Sequence, residues 1–91
     1  MDMGQFVKVE QMEGANNQYR ITTSNGYVFQ SYNTIIAFYC WDGISGTTYL
    51  DREMWDYSRT TGKYRNKFLG ETKADTERKI KSGEYILTNL N

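Results

Sequence analysis

Apolar and polar positions alternate in short runs over the first half of the chain, and recur every three or four residues only after position 58. Gln5–Glu10 alternates loosely and predicts a strand. Tyr19–Thr23 and Tyr27–Tyr32 predict two more, joined at Asn25-Gly26. That dipeptide suits a type I′ hairpin turn, because both central residues there need positive φ. Pairing through it places Tyr19, Ile21, Val28 and Tyr32 on one face and Arg20, Thr22, Tyr27 and Phe29 on the other. The first face is read as the core side, with Phe29 implying some cover on the second. Thr34–Trp41 is apolar without interruption and rich in aromatic and β-branched residues, which predicts a central strand covered on both faces. Asp42-Gly43 turns the chain, and Thr47–Leu50 returns as a strand.

Asp51–Asp56 is an acidic connector, after which the period changes. Ser58 or Asp56 caps a helix reaching Leu69, with Thr61, Tyr64 and Phe68 on one face and Arg59, Lys63, Asn66 and Lys67 roughly opposite. Gly62 weakens it by about 1 kcal/mol relative to alanine, and Gly70 ends it. Thr72-x-x-Asp75 has capping-box spacing and opens a second helix ending at Ser82-Gly83. Ile80 is the only large apolar residue of that helix. Glu84–Leu90 closes the chain as a strand. Strands first and helices late imply an α+β fold: a mainly antiparallel sheet with N-terminal hairpins, two short C-terminal helices packed on one face, and a final strand. Residues 1–91 are read as a single domain.

Composition changes this picture in a few places. Leu, Ile, Val and Phe number 17 of 91, so the aliphatic core is thin, and eight Tyr and two Trp must supply the missing apolar area. The formal net charge is zero, unlike that of a disordered chain. Cys40 is the lone cysteine and is read as a small buried hydrophobe. A chain with one cysteine, no signal-like leader and no long apolar run is expected in the cytoplasm, off the membrane.

The charge is unevenly placed. Residues 59–81 hold eight Lys/Arg against three Asp/Glu, whereas residues 1–58 hold three against seven. In the second helix, Asp75–Lys79 and Glu77–Lys81 are spaced as i,i+4 pairs. The first helix has no acid between Tyr57 and Gly70, yet carries Arg59, Lys63, Arg65 and Lys67. The plain reading is a solvated face met in space by the acidic connector. The alternatives are a contact surface for a protein or for DNA or RNA, with Trp55, Tyr57, Arg59, Lys63, Tyr64, Arg65 and Lys67 as candidate binding residues.

Catalytic readings fare worse. With no His, Ser58 has no base to activate it and the usual zinc ligand sets are missing. Asp51 or Asp56 followed by Glu71-Thr72-Lys73 has the order of a metal nuclease, but Glu71 falls in a helix break without apolar flanks. Thr61-Gly62-Lys63 has the form of a phosphate-loop end, but Tyr57 stands where its glycine belongs and Tyr64 follows the lysine. No enzyme, cofactor or metal is expected.

Several of these blocks resemble one family. Gln30-Ser31-Tyr32, Ile35-Ile36-Ala37, Trp55-Asp56-Tyr57-Ser58-Arg59-Thr60-Thr61, Lys63-Tyr64 and Asn66-Lys67-Phe68-Leu69-Gly70 look like those of short uncharacterised proteins of bacteriophages and other bacterial mobile elements. The resemblance covers Tyr27 to Leu90 and implies no catalytic residues. It implies a small protein working by stoichiometric binding to a host protein, such as a nuclease or anti-phage defence factor, with nucleic acid as the alternative partner. A homodimer is a further expectation, since exposed aromatics and a thin core favour burying surface between copies.

Overall fold

The computed structural model describes residues 1–91 and shows one six-stranded sheet in sequential order, with two helices inserted before the last strand. The strands are β1 (Phe6–Gln11), β2 (Gln18–Thr23), β3 (Gly26–Ser31), β4 (Thr34–Trp41), β5 (Gly46–Asp51) and β6 (Tyr85–Thr88). The helices are α1 (Arg59–Leu69) and α2 (Lys73–Ser82). Each of β1 to β4 pairs antiparallel with the next strand, while β6 returns parallel to β5 because the two helices carry the chain back across the sheet. The α+β architecture is therefore as expected.

Both faces of the sheet are covered. Phe29, Ile36, Ala37 and Leu50 form the helix-side core with Tyr64 and Tyr85. Ile21, Val28, Phe38 and Leu90 form a second cluster. The helices choose the Phe29 face, which corrects the expectation that Ile21 and Val28 mark the main core side. Phe68 of α1 decides it by stacking on Phe29 at 5.7 Å between ring centres. In β4 the register slips where Phe29 faces Ala37 and Gln30 faces Ile35, leaving Ile36 as the extra residue of a β-bulge. The bulge lets the consecutive Ile36 and Ala37 both join the helix-side core, while Ile35 packs on the other cluster. The unbroken apolar run of β4 thus serves both layers.

Asn25-Gly26 does not form the expected type I′ turn. The two-residue connection is Ser24-Asn25, and Asn25 keeps a negative φ. The Thr23 hydroxyl takes over the turn by accepting from the backbone N–H groups of Asn25 and Gly26, each at 3.1 Å. Gly26 is needed for another reason: a Cβ there would lie 1.9 Å from the Tyr39 carbonyl oxygen. Asp42-Gly43 turns the chain as expected, and the structure makes it an Asx turn, with Ile44 N–H and Ser45 N–H both donating to Asp42 Oδ1 at 2.8 Å.

The helix ends are set by their caps. Ser58 Oγ accepts from Thr61 N–H, and Gly70 closes α1 in the left-handed region. Thr72 and Asp75 form a reciprocal capping box, and Gly83 closes α2. Gly62 lies in the interior of α1, where a Cβ would meet the Arg65 guanidinium at an ordinary 3.6 Å. Gly62→Ala is therefore expected to stabilise the fold by about 0.5–1 kcal/mol, raising the midpoint of thermal unfolding by a few degrees. A lowered midpoint would show that the guanidinium cannot yield.

Candidate functional site

The sequence-predicted contact residues divide into two groups. Tyr57, Arg59, Lys63 and Lys67 are exposed. Trp55 is half-buried against the helix-side core, while Tyr64 and Arg65 lie inside the fold at 6% and 1% exposure. Tyr64 and Arg65 are hence corrected from contact residues to scaffold. Tyr64 donates its hydroxyl to the Gly14 carbonyl at 3.1 Å, pinning the β1–β2 loop under α1. Close by in sequence, the Thr61 hydroxyl shares a buried 2.9 Å hydrogen bond with Ser31 of β3.

Arg65 is held through the two terminal nitrogens of its guanidinium, while its buried Nε has no hydrogen-bond partner. One guanidinium nitrogen donates to the Trp55 carbonyl at 2.8 Å and to Asp56 Oδ1 at 3.1 Å, and the other donates to Asn66 Oδ1 at 3.0 Å. Its planar head also lies 5.1 Å from the Trp55 ring centre. The acidic connector thus neutralises one cation of α1. Lys73, from the start of α2, reaches the other oxygen of the same carboxylate at 2.7 Å. Burial alone raises the Asp56 pKa, but the hydrogen bonds from Lys73 and Arg65 outweigh it and hold the carboxyl below the usual range.

With Asp56 already shared by two cations, the remaining charge of α1 is unmet. No carboxylate of the chain comes within ion-pair distance of Arg59, Lys63 or Lys67. These residues stand one helical turn apart, about 6 Å along the axis. Lys63 and Lys67 lie against the Tyr64 ring, their ammonium groups 5.5 and 4.9 Å from its centre. At the start of α1 the face opens into a shallow depression of about 660 Å³, lined by Asp56, Tyr57, Ser58, Arg59, Gly62, Lys63, Asn66 and Lys73. Its walls present Arg59, Lys63 and Lys73 against one carboxylate, with Tyr57 as the single large aromatic group, 43% exposed. Such a surface can take up anionic groups of a partner, and Tyr57 offers a ring for packing.

Residues 4–84 of the chain match the Family of unknown function (DUF8033). The chain belongs to DUF8033. The matched span contains both helices and the whole basic depression, and stops one residue short of β6. Neither the curated proteins nor the solved structures yield a match to the chain. No helix of this DUF8033 chain is long and apolar enough to cross a membrane.

Carboxylates weighed for metal chemistry in the DUF8033 chain are engaged in its scaffold, and no three His, Cys, Asp or Glu side chains cluster as a metal-binding group. Asp51 accepts from Leu90 N–H at 2.8 Å, Met54 N–H at 3.0 Å and Asn91 Nδ2 at 3.1 Å, clasping the C-terminal residues to the end of β5. Glu71, its side chain 6% exposed, accepts from Thr76 Oγ1 at 2.6 Å and from Lys79 Nζ and Tyr85 Oη, both at 2.7 Å. This hub joins the α1–α2 break to α2 and β6. It also corrects the expected Asp75–Lys79 pair: Lys79 reaches back to Glu71, while Asp75 caps Thr72 and takes Arg78 at 3.0 Å. Glu77 and Lys81 form no ion pair. Neither the hub nor the Lys73–Asp56 pair is legible in the sequence, because Tyr85 and Asp56 are brought in from β6 and from the connector before α1.

The hub makes stability depend on pH in both directions. Burial raises the Glu71 pKa, but the hydrogen bonds from Lys79, Thr76 and Tyr85 bring it below the ordinary 4.5. A depressed folded pKa gives stability that is present above the unfolded value and lost as pH falls through the folded one. Burial, then the hydrogen bond to Glu71, pushes Tyr85 from 10.0 up to about 12. A raised folded pKa gives stability that is present below pH 10 and lost as pH rises towards 12. Urea midpoints are expected to be flat from about pH 5 to 10 and to fall on either side, with Tyr85→Phe flattening the alkaline limb. An unchanged alkaline limb in that variant would contradict the assignment.

Proposed function

We propose that this DUF8033 chain is a non-enzymatic binding protein of the phage or mobile-element type, acting stoichiometrically on a host protein. The single observation that carries this reading is the unneutralised row Arg59, Lys63 and Lys67, continued by exposed Tyr57. A row of fixed cations beside an aromatic ring complements an acidic protein surface, where charge sets encounter and orientation and the ring supplies buried area. A host nuclease or anti-phage defence factor is the class of target that the family resemblance favours, with the bacterial cytoplasm as the setting.

Capture from nuclease-treated bacterial lysates, followed by reconstitution with the purified candidate, tests the proposal. A one-to-one complex weakened by salt is expected. Recovery of no stoichiometric partner from several hosts would count against it.

The same row supports a second reading, because cations one turn apart beside Tyr57 also suit a nucleic-acid backbone with a base on the ring. Three phosphate contacts would give an affinity falling with salt at a log–log slope of about −2 to −3. A filter-binding assay at low salt separates the readings: retention with that slope favours nucleic acid, and no retention leaves the protein partner.

A further inference from the structure

β1 is the one element of the sheet that is exposed along its whole length, with Val7 at 69% and Val9 at 58% exposure. It pairs only with β2, so one complete edge of backbone groups is free. The opposite edge, β6, is four residues long. We propose that β1 pairs with β1 of a second copy of this chain, antiparallel, with Val9 on the two-fold axis.

The backbone restricts the choice of register. Met12 N–H donates to the Gln18 carbonyl at 2.8 Å, so in the alternating antiparallel ladder Lys8, Glu10 and Met12 direct their N–H and C=O groups at β2. Val9 and Gln11 therefore direct theirs outwards. Antiparallel self-pairing must bring outward groups together, which leaves three nearby registers, centred on Lys8, Val9 or Glu10. Centring on Lys8 sets Lys8 against Lys8, and centring on Glu10 sets Glu10 against Glu10. Only centring on Val9 sets Lys8 opposite the second copy's Glu10, twice by symmetry, and brings the two exposed Val9 side chains together.

Lys8 and Glu10 already lie 3.6 Å apart within one chain, with both side chains at least half exposed, so the same groups are free to bridge both strands. A lysine and a bulge at Val7 are common defences of an edge strand. In this edge the alternating signs at positions 8 and 10 make the strand complementary to itself instead. The axis runs perpendicular to the sheet, so α1 of both copies would lie on the same side of one continuous sheet. The pairing does not depend on the function of α1.

Light scattering over a concentration series tests this. The mass should rise from 10.7 kDa towards twice that value. Lys8→Glu alone and Glu10→Lys alone should each weaken the dimer by roughly tenfold or more, since both symmetric pairs become repulsive. An equimolar mixture of the two variants should restore it, because each strand then complements the other. The Val9 and Gln11 amides of the unaltered chain should gain protection from hydrogen exchange as concentration rises. A mass of 10.7 kDa throughout, a dimer indifferent to both substitutions, or unchanged exchange at Val9 would overturn the proposal.

Discussion

Glu71→Ala should lower stability by about 3 kcal/mol, the largest loss expected from any single polar substitution in this chain. Removing the carboxylate leaves the Tyr85 hydroxyl, the Thr76 hydroxyl and the Lys79 ammonium without their acceptor in a place where water enters poorly. Thr76 is fully buried and Tyr85 nearly so, so neither can recover the loss by turning to solvent. A small domain has only about 5–15 kcal/mol to lose, and about 3 kcal/mol lowers the thermal midpoint by roughly 12–24 °C. Glu71→Gln should lose less, because the amide oxygen still accepts while the amide nitrogen opposes a donor. Thermal unfolding followed by circular dichroism checks both. A Glu71→Ala midpoint within a few degrees of the parent would mean that α2 is held by Ile80 and its apolar contacts instead.

Arg65→Ala is expected to cost about 2–3 kcal/mol, and its reason differs. Loss of an ion partner deep in a protein costs about 3–5 kcal/mol when it leaves a stranded charge. Asp56 is not stranded: its side chain is 31% exposed and keeps Lys73 at 2.7 Å. The cost falls instead on the cavity beneath Trp55 and on the orphaned Trp55 carbonyl. Arg65→Met should therefore retain more stability than Arg65→Ala, whereas Arg65→Lys gives up the flat fork that reaches Trp55, Asp56 and Asn66 together. Denaturant titration of Arg65→Ala, Asp56→Ala and the double variant should reveal coupling above about 1 kcal/mol. Strict additivity would mean that the pair is held in place by other contacts and adds nothing itself.

Much of the fold was legible because its signals are local. Thr34–Trp41 has the bounds its apolar run predicts, and the Ser58, Thr72, Gly70 and Gly83 caps stand where their residue types place them. The choice of face was not legible. β3 carries apolar residues on both sides, Val28 on one and Tyr27 and Phe29 on the other, so a period of two cannot rank Val28 against Phe29, and only Phe68 arriving from α1 decides. The hairpin turn failed for a related reason: the Thr23 hydroxyl outcompeted the Asn-Gly preference, and a close approach to Tyr39 claimed Gly26.

The candidate surface was half legible. Arg59, Lys63 and Lys67 face outwards as their spacing demands. Arg65 lies four residues after Thr61 and three before Phe68, on the buried stripe, so the helical period already pointed inwards. Its charge argued otherwise, and only the return of the Asp51–Asp56 connector beneath α1 accounts for its burial. Lys73 stands in the sequence only as part of a metal-nuclease order and carries no signal of its place here, since it enters the depression by way of the turn at Gly70.

Under the proposed function the outer face of α1 serves contact while its inner face serves the fold, and one substitution set separates the two. Arg59→Glu, Lys63→Glu and Lys67→Glu are combined in one chain, and its affinity for the partner captured from lysate is measured by titration calorimetry. The expected result is a cooperative unfolding midpoint close to that of the parent together with binding at least about 100-fold weaker. Binding of parental strength by the folded triple variant would show that this row of cations is only a solvated surface.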